Sequence, residues 1–559
     1  MQYETLIREK FKLFNYTPRE LQVENINKIL EAYIDQEKTN VVFSASTGVG
    51  KSIIAIITAE CLYELVENKH NRLKSFLLAH NNTLLEQYIN SYANTFEFLE
   101  IKGKNNYSCP PVSGNAEECV FANLQDGVLA ACQDCEYKKV NALKNSIAHL
   151  CTNYSYFFSV VMNTPLLFSR VLTVYDEAHL LNDVFVNHLK IEITPTIMDK
   201  YNKELKEYNS VCSLERKQLT KLSSMLAENV LTEDDECIDK YLTDVEDCFG
   251  TILKNLNKLI SSLYSDGDIT GYKKAKKLFN KYDRFVKKIT YYLEEKYENV
   301  KELNEKGLVI QTIFIKDQFE KIQNSDYHLF MSATIDNEFM EETLQLNPED
   351  TVFINGGNIF PSENKEVVFL NLGYFDYRNM QDTNFLDKIM NTMGDIIKDY
   401  GHEQENGIVL STSFNISSAA NRNLIKFFNK NNIDIKIFNQ EQGVGLRELL
   451  LQFKEYPEPS ILISPSLFEG IDLPDDQSRY QFLIKCPFYS LGDKRIKYIA
   501  DNHPIIYKKL ALYKIIQSFG RSVRSPDDYC VNYCFDSQIY NLFTSKLNYW
   551  KKEFTVTVL

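Results

Sequence analysis

The chain has 559 residues, of which 44% are hydrophobic and 25% are charged, a balance that excludes a largely disordered protein. Its formal net charge of −14 argues against a protein that coats nucleic acid over its whole surface, but it allows a local basic groove. No run of about 18 consecutive apolar residues is present, so the sequence predicts no membrane-spanning helix and no membrane partner.

The cysteine content and the first residues bear on the compartment. The opening segment MQYETLIREKFKLF has acidic residues and no apolar signal core, so we expect a cytoplasmic protein in a reducing compartment. In that setting the 12 cysteines are expected to be thiols or metal ligands rather than disulfides.

Strands and helices alternate in the first part of the chain. The apolar spacing predicts a helix over 19–35, a buried strand over 41–43, a helix over 53–65 and a strand over 76–79. This alternation is typical of a parallel α/β sheet. It breaks over 102–135, where glycine, proline, asparagine and four cysteines replace the apolar periodicity, and it resumes with a strand over 171–175.

The middle of the chain has a different composition and a different spacing of apolar residues. Residues 184–310 are rich in lysine, glutamate, leucine, asparagine and tyrosine, and their spacing predicts an all-helical insert with turns at 232–236 and 265–271. The α/β pattern returns at 328–331. A second α/β unit is predicted over 346–559, with strands at 367–370, 407–411, 433–438, 461–464, 481–485 and 530–535.

A phosphate-binding loop is predicted between the first strand and the next helix. The segment ASTGVGKS at 45–52 places glycines where backbone N–H groups can curl around phosphate oxygens, and the helix N-terminus adds its dipole. Lys51 is expected to reach the β- and γ-phosphates and Ser52 to bind Mg²⁺. Ala45 stands where the general pattern has glycine. The rest of the cradle is predicted to be Ser46, Thr47, Gly48, Val49 and Gly50.

Two acidic residues follow a later strand of the same unit. Asp176 and Glu177 begin the segment DEAH, which ends at His179. A carboxylate at the end of a strand can hold the Mg²⁺ shell, and a second one beside it can polarise the attacking water. An acidic pair alone is usually a solvated loop, but its position behind a phosphate loop favours the functional interpretation.

The second α/β unit supplies two further loops. The segment QSFGRSVR at 517–524 places Arg521 and Arg524 on one helical face, where guanidinium groups can stabilise charge on a γ-phosphate. The segment FEGIDLP at 468–474 follows a predicted strand, and it contributes the nucleotide-side candidates Glu469, Gly470 and Asp472.

The order of these segments resembles a known family. ASTGVGKS, DEAH, SAT, FEGIDLP and QSFGRSVRS are similar to motifs I, II, III, V and VI of superfamily 2 helicases. IKGKNNYSC at 101–109, CEYKK at 135–139 and KCPF at 485–488 resemble the XPD/DinG-like branch, although Glu136 replaces the usual proline. Arg19 and Gln22 match its adenine-side element. The resemblance covers essentially the whole chain, with the helical insert matched only by position and texture.

Four cysteines are candidate metal ligands. Cys109, Cys119, Cys132 and Cys135 are separated by nine, twelve and two intervening residues, and four thiolates suit either Zn²⁺ or a [4Fe–4S] cluster. Only one CxxC pair is present, so the spacing does not decide between them; the resemblance implies the [4Fe–4S] cluster. Cys151 is the main rival ligand, and we interpret it as a core cysteine.

The resemblance implies an architecture of two RecA-like α/β motor domains, the first of which carries an iron–sulfur insert and a helical arch insert. The first motor domain is then expected over 1–104, 141–183 and 311–345. The iron–sulfur insert is expected over 105–140, the arch over 184–310 and the second motor domain over 346–559.

The resemblance also implies an activity, that of an ATP-dependent DNA helicase moving 5′ to 3′ with ATP and Mg²⁺ as cofactors. Lys51, Ser52 and Asp176 would hold MgATP, and Glu177, in the box that ends at His179, would activate water. Gln517, Arg521 and Arg524 would sense the γ-phosphate. Ser332, Ala333 and Thr334 would couple hydrolysis to domain motion.

The expected partners are single-stranded DNA and forked duplex DNA, bound by a monomer. Loops 80–83 and 411–413 are candidate strand contacts, and binding there should be directed at the backbone and sensitive to salt. A translocase that remodels DNA or RNA without processive unwinding would have the same motifs. A non-enzymatic binding module with a vestigial site is a further alternative, and RNA is an alternative substrate.

Overall fold

The structure is a computed structural model. It describes the chain except for residues 67–72, 94, 110–113, 120–131, 133, 164–166, 371, 377, 469–472 and 526. The described strands are β1 Asn40–Ala45, β2 Leu73–Ala79, β3 Phe98–Glu100, β4 Ser108–Cys109, β5 Gly114–Asn115, β6 His149–Asn153, β7 Arg170–Asp176, β8 Ile191–Ile193, β9 Asn299–Asn304, β10 Gly307–Thr312, β11 Ser325–Ser332, β12 Thr351–Gly357, β13 Lys365–Phe369, β14 Gly407–Leu410, β15 Lys436–Asn439, β16 Ser460–Ser464, β17 Tyr480–Leu483, β18 Cys530–Cys534 and β19 Thr555–Val558.

The α-helices connect these strands in the alternating manner that the sequence predicts. They are α1 Glu4–Leu13, α2 Glu20–Ile34, α3 Lys51–Val66, α4 Asn82–Tyr92, α5 Glu136–Leu143, α6 Tyr154–Asn163, α7 Leu181–Leu189, α8 Pro195–Glu204, α9 Asn209–Ala227, α10 Asp235–Ser265, α11 Ile269–Glu295, α12 Lys316–Ile322, α13 Asn337–Leu344, α14 Thr383–Asp399, α15 Phe414–Asn431, α16 Leu446–Glu455, α17 Lys494–Asn502, α18 Pro504–Phe519 and α19 Ser537–Thr544.

Two parallel sheets of seven strands form the two α/β units. The first has the strand order β12-β1-β11-β7-β2-β6-β3 and the second β15-β16-β14-β17-β18-β13-β19. Their central strands are buried apolar runs because helices cover both faces of a parallel sheet. The phosphate loop and the acidic pair follow β1 and β7, which are separated by β11 alone. Both segments therefore lie at the same edge of the first sheet.

The first sheet extends further along the chain than we predicted. β12 pairs in parallel with β1, from Asn40 opposite Thr351 to Ala45 opposite Gly357. The strand therefore belongs to the first unit, whose last segment we had expected to end at residue 345. A strand beyond a predicted boundary can pair with the sheet because pairing depends on which sheet edge is available. The local composition of the sequence does not reveal that edge.

The middle insert is not all-helical, and this corrects the prediction. Long helices α9, α10 and α11 form its core, but β8, β9 and β10 add a three-stranded antiparallel sheet at its base. β9 and β10 form a hairpin. Gly307 there has φ +132°, and a Cβ at this position would lie 2.3 Å from the carbonyl oxygen of Ile193, so only glycine fits.

Candidate functional site at the interface of the two sheets

The phosphate loop has the backbone that its glycines predict. β1 ends at Ala45, α3 begins at Lys51, and Gly48 and Gly50 adopt φ of +86° and +92°. Side chains also exclude larger residues there. A Cβ on Gly48 would lie 2.6 Å from the ring of Phe360, and one on Gly50 would lie 2.4 Å from Gln22 Nε2. The Lys51 ammonium donates to the carbonyl of Ala45 at 3.0 Å, on the strand side of the loop.

The pair predicted to lie beside the adenine also contacts this loop. Arg19 donates to the carbonyl oxygen of Gly48 at 2.7 Å, and the Gln22 amide donates to that of Val49 at 3.1 Å. Gln22 also accepts a hydrogen bond from the backbone N–H of Arg19, the N-cap residue just before α2. The two side chains therefore fix the outer wall of the loop.

The acidic pair occupies two different environments. Asp176 is buried at the end of β7, where burial and the charge of Glu177 raise its pKa. Burial also acts to raise the pKa of Glu177, but hydrogen bonds from His179 and Ser332 and the charge of Lys51 outweigh it and lower that pKa. Glu177 is thus the carboxylate favoured as an anion, the form that accepts a hydrogen bond from a water molecule and so can orient it.

The backbone of Glu177 adopts a strained conformation. Its φ of +55° lies in the left-handed region, which a residue with a Cβ adopts at a cost of about 1 kcal/mol. Such strain is concentrated at functional sites, where the surroundings hold it in place.

Sequence reasoning missed two tyrosines that hold Asp176. The Tyr88 hydroxyl donates to the carboxylate at 3.1 Å, and the Tyr154 hydroxyl donates to the backbone carbonyl at 2.6 Å. Tyr88 also interacts with the hydroxyl of Ser52. It therefore bridges the two residues predicted to bind Mg²⁺. Their oxygen donors fit that ion, which prefers oxygen ligands. No signal in the sequence singles out these tyrosines, because their partners lie far away along the chain.

A chain of hydrogen bonds joins the acidic pair to the second unit. Gln517, on α18, donates to His179 Nε2 at 2.8 Å and to the Thr334 hydroxyl at 2.9 Å. The remaining ring proton of His179 then lies on Nδ1, which faces the Ser332 hydroxyl at 2.8 Å. Ser332 in turn donates to Glu177 at 3.3 Å. Residues predicted from three separate segments thus form one connected path.

These groups border a cavity of about 490 Å³ between the two sheets. From the first unit, predicted residues that line it are Ser46, Thr47, Glu177, His179, Ala333 and Thr334, and from the second they are Gln517, Arg521 and Arg524. Arg521 is buried. The cavity lining therefore combines phosphate-loop, carboxylate and guanidinium groups of the kinds used in phosphoryl transfer, whereas Lys51, Ser52 and Asp176 are not among its lining residues.

The end of the chain contributes a further wall, which was not predicted. Trp550, Glu553 and Phe554 line the cavity. The Trp550 indole donates to Ser44 of β1 at 3.0 Å, and burial raises the pKa of Glu553, which lies near Lys365 and Lys51. Trp550 is the only tryptophan in the chain, and this is the one feature of the sequence that could have drawn attention to this wall of the cavity.

The predicted nucleotide-side residues Glu469, Gly470 and Asp472 lie outside the described residues. The candidate strand contacts are described. Asn81, next to His80, accepts from the backbone N–H of Leu84 and so caps α4, and it lines the cavity with His80 and Thr83. Ser413 caps α15 in the same manner. Both loops therefore present side chains that also stabilise helix starts.

The four candidate ligand cysteines lie in two places. Cys109 and Cys119 pack against an apolar cluster of Ile260, Tyr272 and Ala275 on α10 and α11. Cys132 and Cys135 lie at the start of α5, where the Cys135 N–H donates to the Cys132 carbonyl at 3.3 Å. Among the described residues, no three histidine, cysteine or acidic side chains come close enough together to hold a metal ion. The four thiols are thus not gathered around one point.

Cys151 lies in β6, between β2 and β3, and its side chain is fully buried in the core of the first sheet. Burial raises the pKa of its thiol. A buried, protonated thiol in a sheet is typical of a core cysteine.

Two family models match the chain. The model described as "Type III restriction enzyme, res subunit" matches residues 15–212, and the one described as "Helicase C-terminal domain" matches residues 397–553. Over these two segments the chain is thus similar to the res subunit of type III restriction enzymes and to a helicase C-terminal domain. These matches support a nucleic-acid helicase that hydrolyses ATP.

Solved structures agree on the fold. A structure named "XPD_Helicase" matches over 97% of this chain and 100% of its own, with 15% identity and a TM-score of 0.62. One named "XPD_APO" matches over 96% and 100%, with 18% identity and a TM-score of 0.58. The predicted fold class of two RecA-like units with inserts is confirmed. No curated protein matches, and no helix in the described part of the chain is long and apolar enough to cross a membrane.

Proposed function

We propose that this chain is an ATP-dependent DNA helicase that moves 5′ to 3′ on single-stranded DNA and unwinds duplexes. The observation that carries the proposal is the path from Gln517 through His179 to Glu177, because it connects the second sheet directly to the acidic pair of the first. DNA as the substrate and the 5′-to-3′ direction rest on the resemblance of the motifs.

The mechanism assigns each group a task. Ser52 and Asp176 would hold Mg²⁺, and Lys51 and the loop N–H groups would bind the phosphate oxygens of ATP, whose γ-phosphoryl group would pass to water. Glu177, which its lowered pKa keeps as an anion, accepts a hydrogen bond from the attacking water and so orients it. Arg521, buried at the cavity wall, stabilises charge that develops on the γ-phosphate.

Lys51→Ala tests the ATP site. We expect DNA-stimulated ATP hydrolysis to fall at least about 100-fold, because charge stabilisation on the phosphates is lost. Single-strand binding should stay within a few-fold of wild type. A Lys51→Ala protein with wild-type turnover would overturn the assignment of the loop.

Substrate and direction need a separate experiment. ATPase stimulation by single-stranded DNA and RNA, and displacement of strands from 5′-tailed and 3′-tailed duplexes, would be measured with the same preparation. We expect stimulation by DNA and unwinding only of the 5′-tailed duplex. Stimulated hydrolysis without displacement of either strand would favour the translocase, and preferential stimulation by RNA would contradict the DNA assignment.

We also propose that Cys109, Cys119, Cys132 and Cys135 hold a [4Fe–4S] cluster. The shared packing of the first pair and the shared turn of the second support two halves of one ligand set, but the halves are not gathered in the structure. No step of hydrolysis is assigned to this group. Anaerobic purification with iron and sulfide analysis tests it, and protein that contains zinc or no metal would refute it.

A further inference from the structure

One face of α18 carries three side chains that all reach the same segment of the first unit. Lys509, Tyr513 and Gln517 are four residues apart, so they lie in a row along the helix. Gln517 bonds to Thr334, as described above. Both Tyr513 and Lys509 reach Asp336, two residues further along the chain, at 2.8 and 2.5 Å.

The contact with Asp336 is a buried ion pair between the two units. The Lys509 side chain is 0% exposed and that of Asp336 is 5% exposed; Glu338 adds a second carboxylate at 2.6 Å from the ammonium. Removing one partner of such a pair leaves a buried charge without compensation, so in the docked arrangement each residue depends on the other. Asp336 also accepts from the backbone N–H of Phe339 at 2.9 Å and so caps α13.

We infer that Lys509 and Tyr513 are positioning residues for ATP hydrolysis, and this inference rests on the proposed function. Through Asp336 they fix α18 on the first unit, and the same helix carries Gln517 and leads directly into Arg521. A shift of about 1 Å in a group that meets the reacting atoms can cost about 100-fold in rate. Loss of the Asp336 contact therefore lowers kcat without removing any group that binds ATP.

The test compares two tyrosines of the same helix. Tyr513→Phe removes the hydroxyl that meets Asp336. Tyr507→Phe removes a hydroxyl that donates at 2.9 Å to the carbonyl of Tyr489, within the second unit, and serves as the matched control. We expect Tyr513→Phe to lower kcat about tenfold with the KM for ATP within about twofold, since positioning acts on the transition state. Tyr507→Phe should keep both constants close to wild type.

Tryptophan fluorescence provides a second measurement, one that a merely structural role of Tyr513 would leave unchanged. Trp550, the only tryptophan, lies 5.6 Å from the Tyr513 ring and bonds across the interface to Ser44. We expect a non-hydrolysable ATP analogue to change its emission in wild type and Tyr507→Phe, and to change it less in Tyr513→Phe.

A double-mutant cycle covers the case in which Tyr513→Phe folds poorly. Lys509→Met leaves Asp336 and Glu338 without their shared cation, whereas Lys509→Met with Asp336→Asn leaves only the charge of Glu338, whose side chain is 49% exposed. Asp336→Asn alone completes the cycle. We expect the double variant to be at least as active as Lys509→Met alone, because the losses are shared.

The outcomes separate the two ideas. If wild type hydrolyses ATP but Tyr513→Phe matches Tyr507→Phe in kcat and emission, or the two charge substitutions act additively, the positioning role is wrong and the proposed function stands. If wild type hydrolyses no ATP with either nucleic acid, the proposed function fails and this role fails with it.

Discussion

At the residue scale, the two carboxylates of the acidic pair differ because of their neighbours. Burial and the charge of Glu177 raise the pKa of Asp176, whereas hydrogen bonds from His179 and Ser332 and the charge of Lys51 lower the pKa of Glu177. Environments that push two titratable groups apart usually separate their roles. Asp176 therefore suits cation binding, which would stabilise its anion, and Glu177, already favoured as an anion, suits orientation of the attacking water.

Arg521→Ala tests the role of the buried arginine. We expect kcat to fall at least about 100-fold while nucleotide affinity changes little, because the guanidinium meets charge that is greatest in the transition state. Steady-state kinetics together with equilibrium binding of an ATP analogue would separate these effects. Lost binding with an intact kcat would instead indicate a ground-state contact.

Tyr88→Phe tests the bridge between the two predicted Mg²⁺ ligands. Removing the hydroxyl leaves Asp176 without its 3.1 Å hydrogen bond, so the carboxylate is less well oriented. We expect the Mg²⁺ concentration for half-maximal ATPase activity to rise about tenfold, in line with losses at outer-shell partners of metal ligands. Unchanged Mg²⁺ dependence would mean that Tyr88 only packs the core.

At the scale of elements, sequence patterns predicted most strands that lie deep in each sheet and the edge strand β15, but they missed the edge strands β3, β12 and β19. The strands β1, β7, β14 and β16 are buried throughout and contain short apolar runs, so they can be recognised in the sequence without any partner. β19 is a largely exposed edge strand that pairs only with β13, and the hairpin of β9 and β10 depends on Gly307 fitting beside β8. These elements are defined by tertiary contacts, which local composition does not encode.

The residues of the candidate site likewise divide into those that the sequence predicts and those that it does not. The loop at 46–50, the acidic pair and the arginines could be predicted because each lies within one short segment next to a strand or helix end. The contacts of Tyr88, Trp550 and Asp336 could not, because each joins residues far apart in the sequence. Single-sequence motifs thus identify the groups for chemistry but not the side chains that hold them.

A buried histidine in β11 makes stability depend on pH. His328 stacks on Tyr175 and Phe330, and burial lowers its pKa to about 4. Its value in the unfolded chain is about 6.5, so below that pH the unfolded state binds a proton that the folded state does not. Folding stability should therefore fall as the pH drops from about 6.5 towards 4, by up to about 3 kcal/mol from this group.

His328→Gln isolates this contribution. The substitution is itself expected to lower Tm at neutral pH, since the side chain is buried, so the quantity to compare is the change in Tm between pH 7.5 and pH 5.5. We expect a smaller acid-induced drop in the variant than in wild type. Equal drops would show that other groups dominate the acid response.

At the scale of the whole molecule, the cysteine segment and the ATP cavity are attached to different partners. The segment is held by the middle insert, where Arg284 of α11 lies 3.4 Å from Glu117 and where Cys109 packs with Tyr272. The cavity is bounded by the two sheets and the chain end. This separation predicts that changes in the cysteine segment act on strand separation rather than on hydrolysis.

Cysteine variants test that separation. If a cluster makes the small, loop-rich segment rigid, the segment can act as a wedge at a duplex junction, because metal ligation substitutes for a core that so few residues cannot build. Cys109→Ser or Cys135→Ser should then lose iron and unwinding but keep at least about half of the DNA-stimulated ATPase activity, since the hydrolytic groups lie elsewhere. The control is Cys151→Ser, in the core of the first sheet, which should keep both the visible absorbance of the iron–sulfur cluster and the unwinding activity. If Cys151→Ser lost the visible absorbance of the cluster but Cys119→Ser kept it, the ligand assignment would move to Cys151. Normal unwinding by iron-free Cys109→Ser would rule out the wedge.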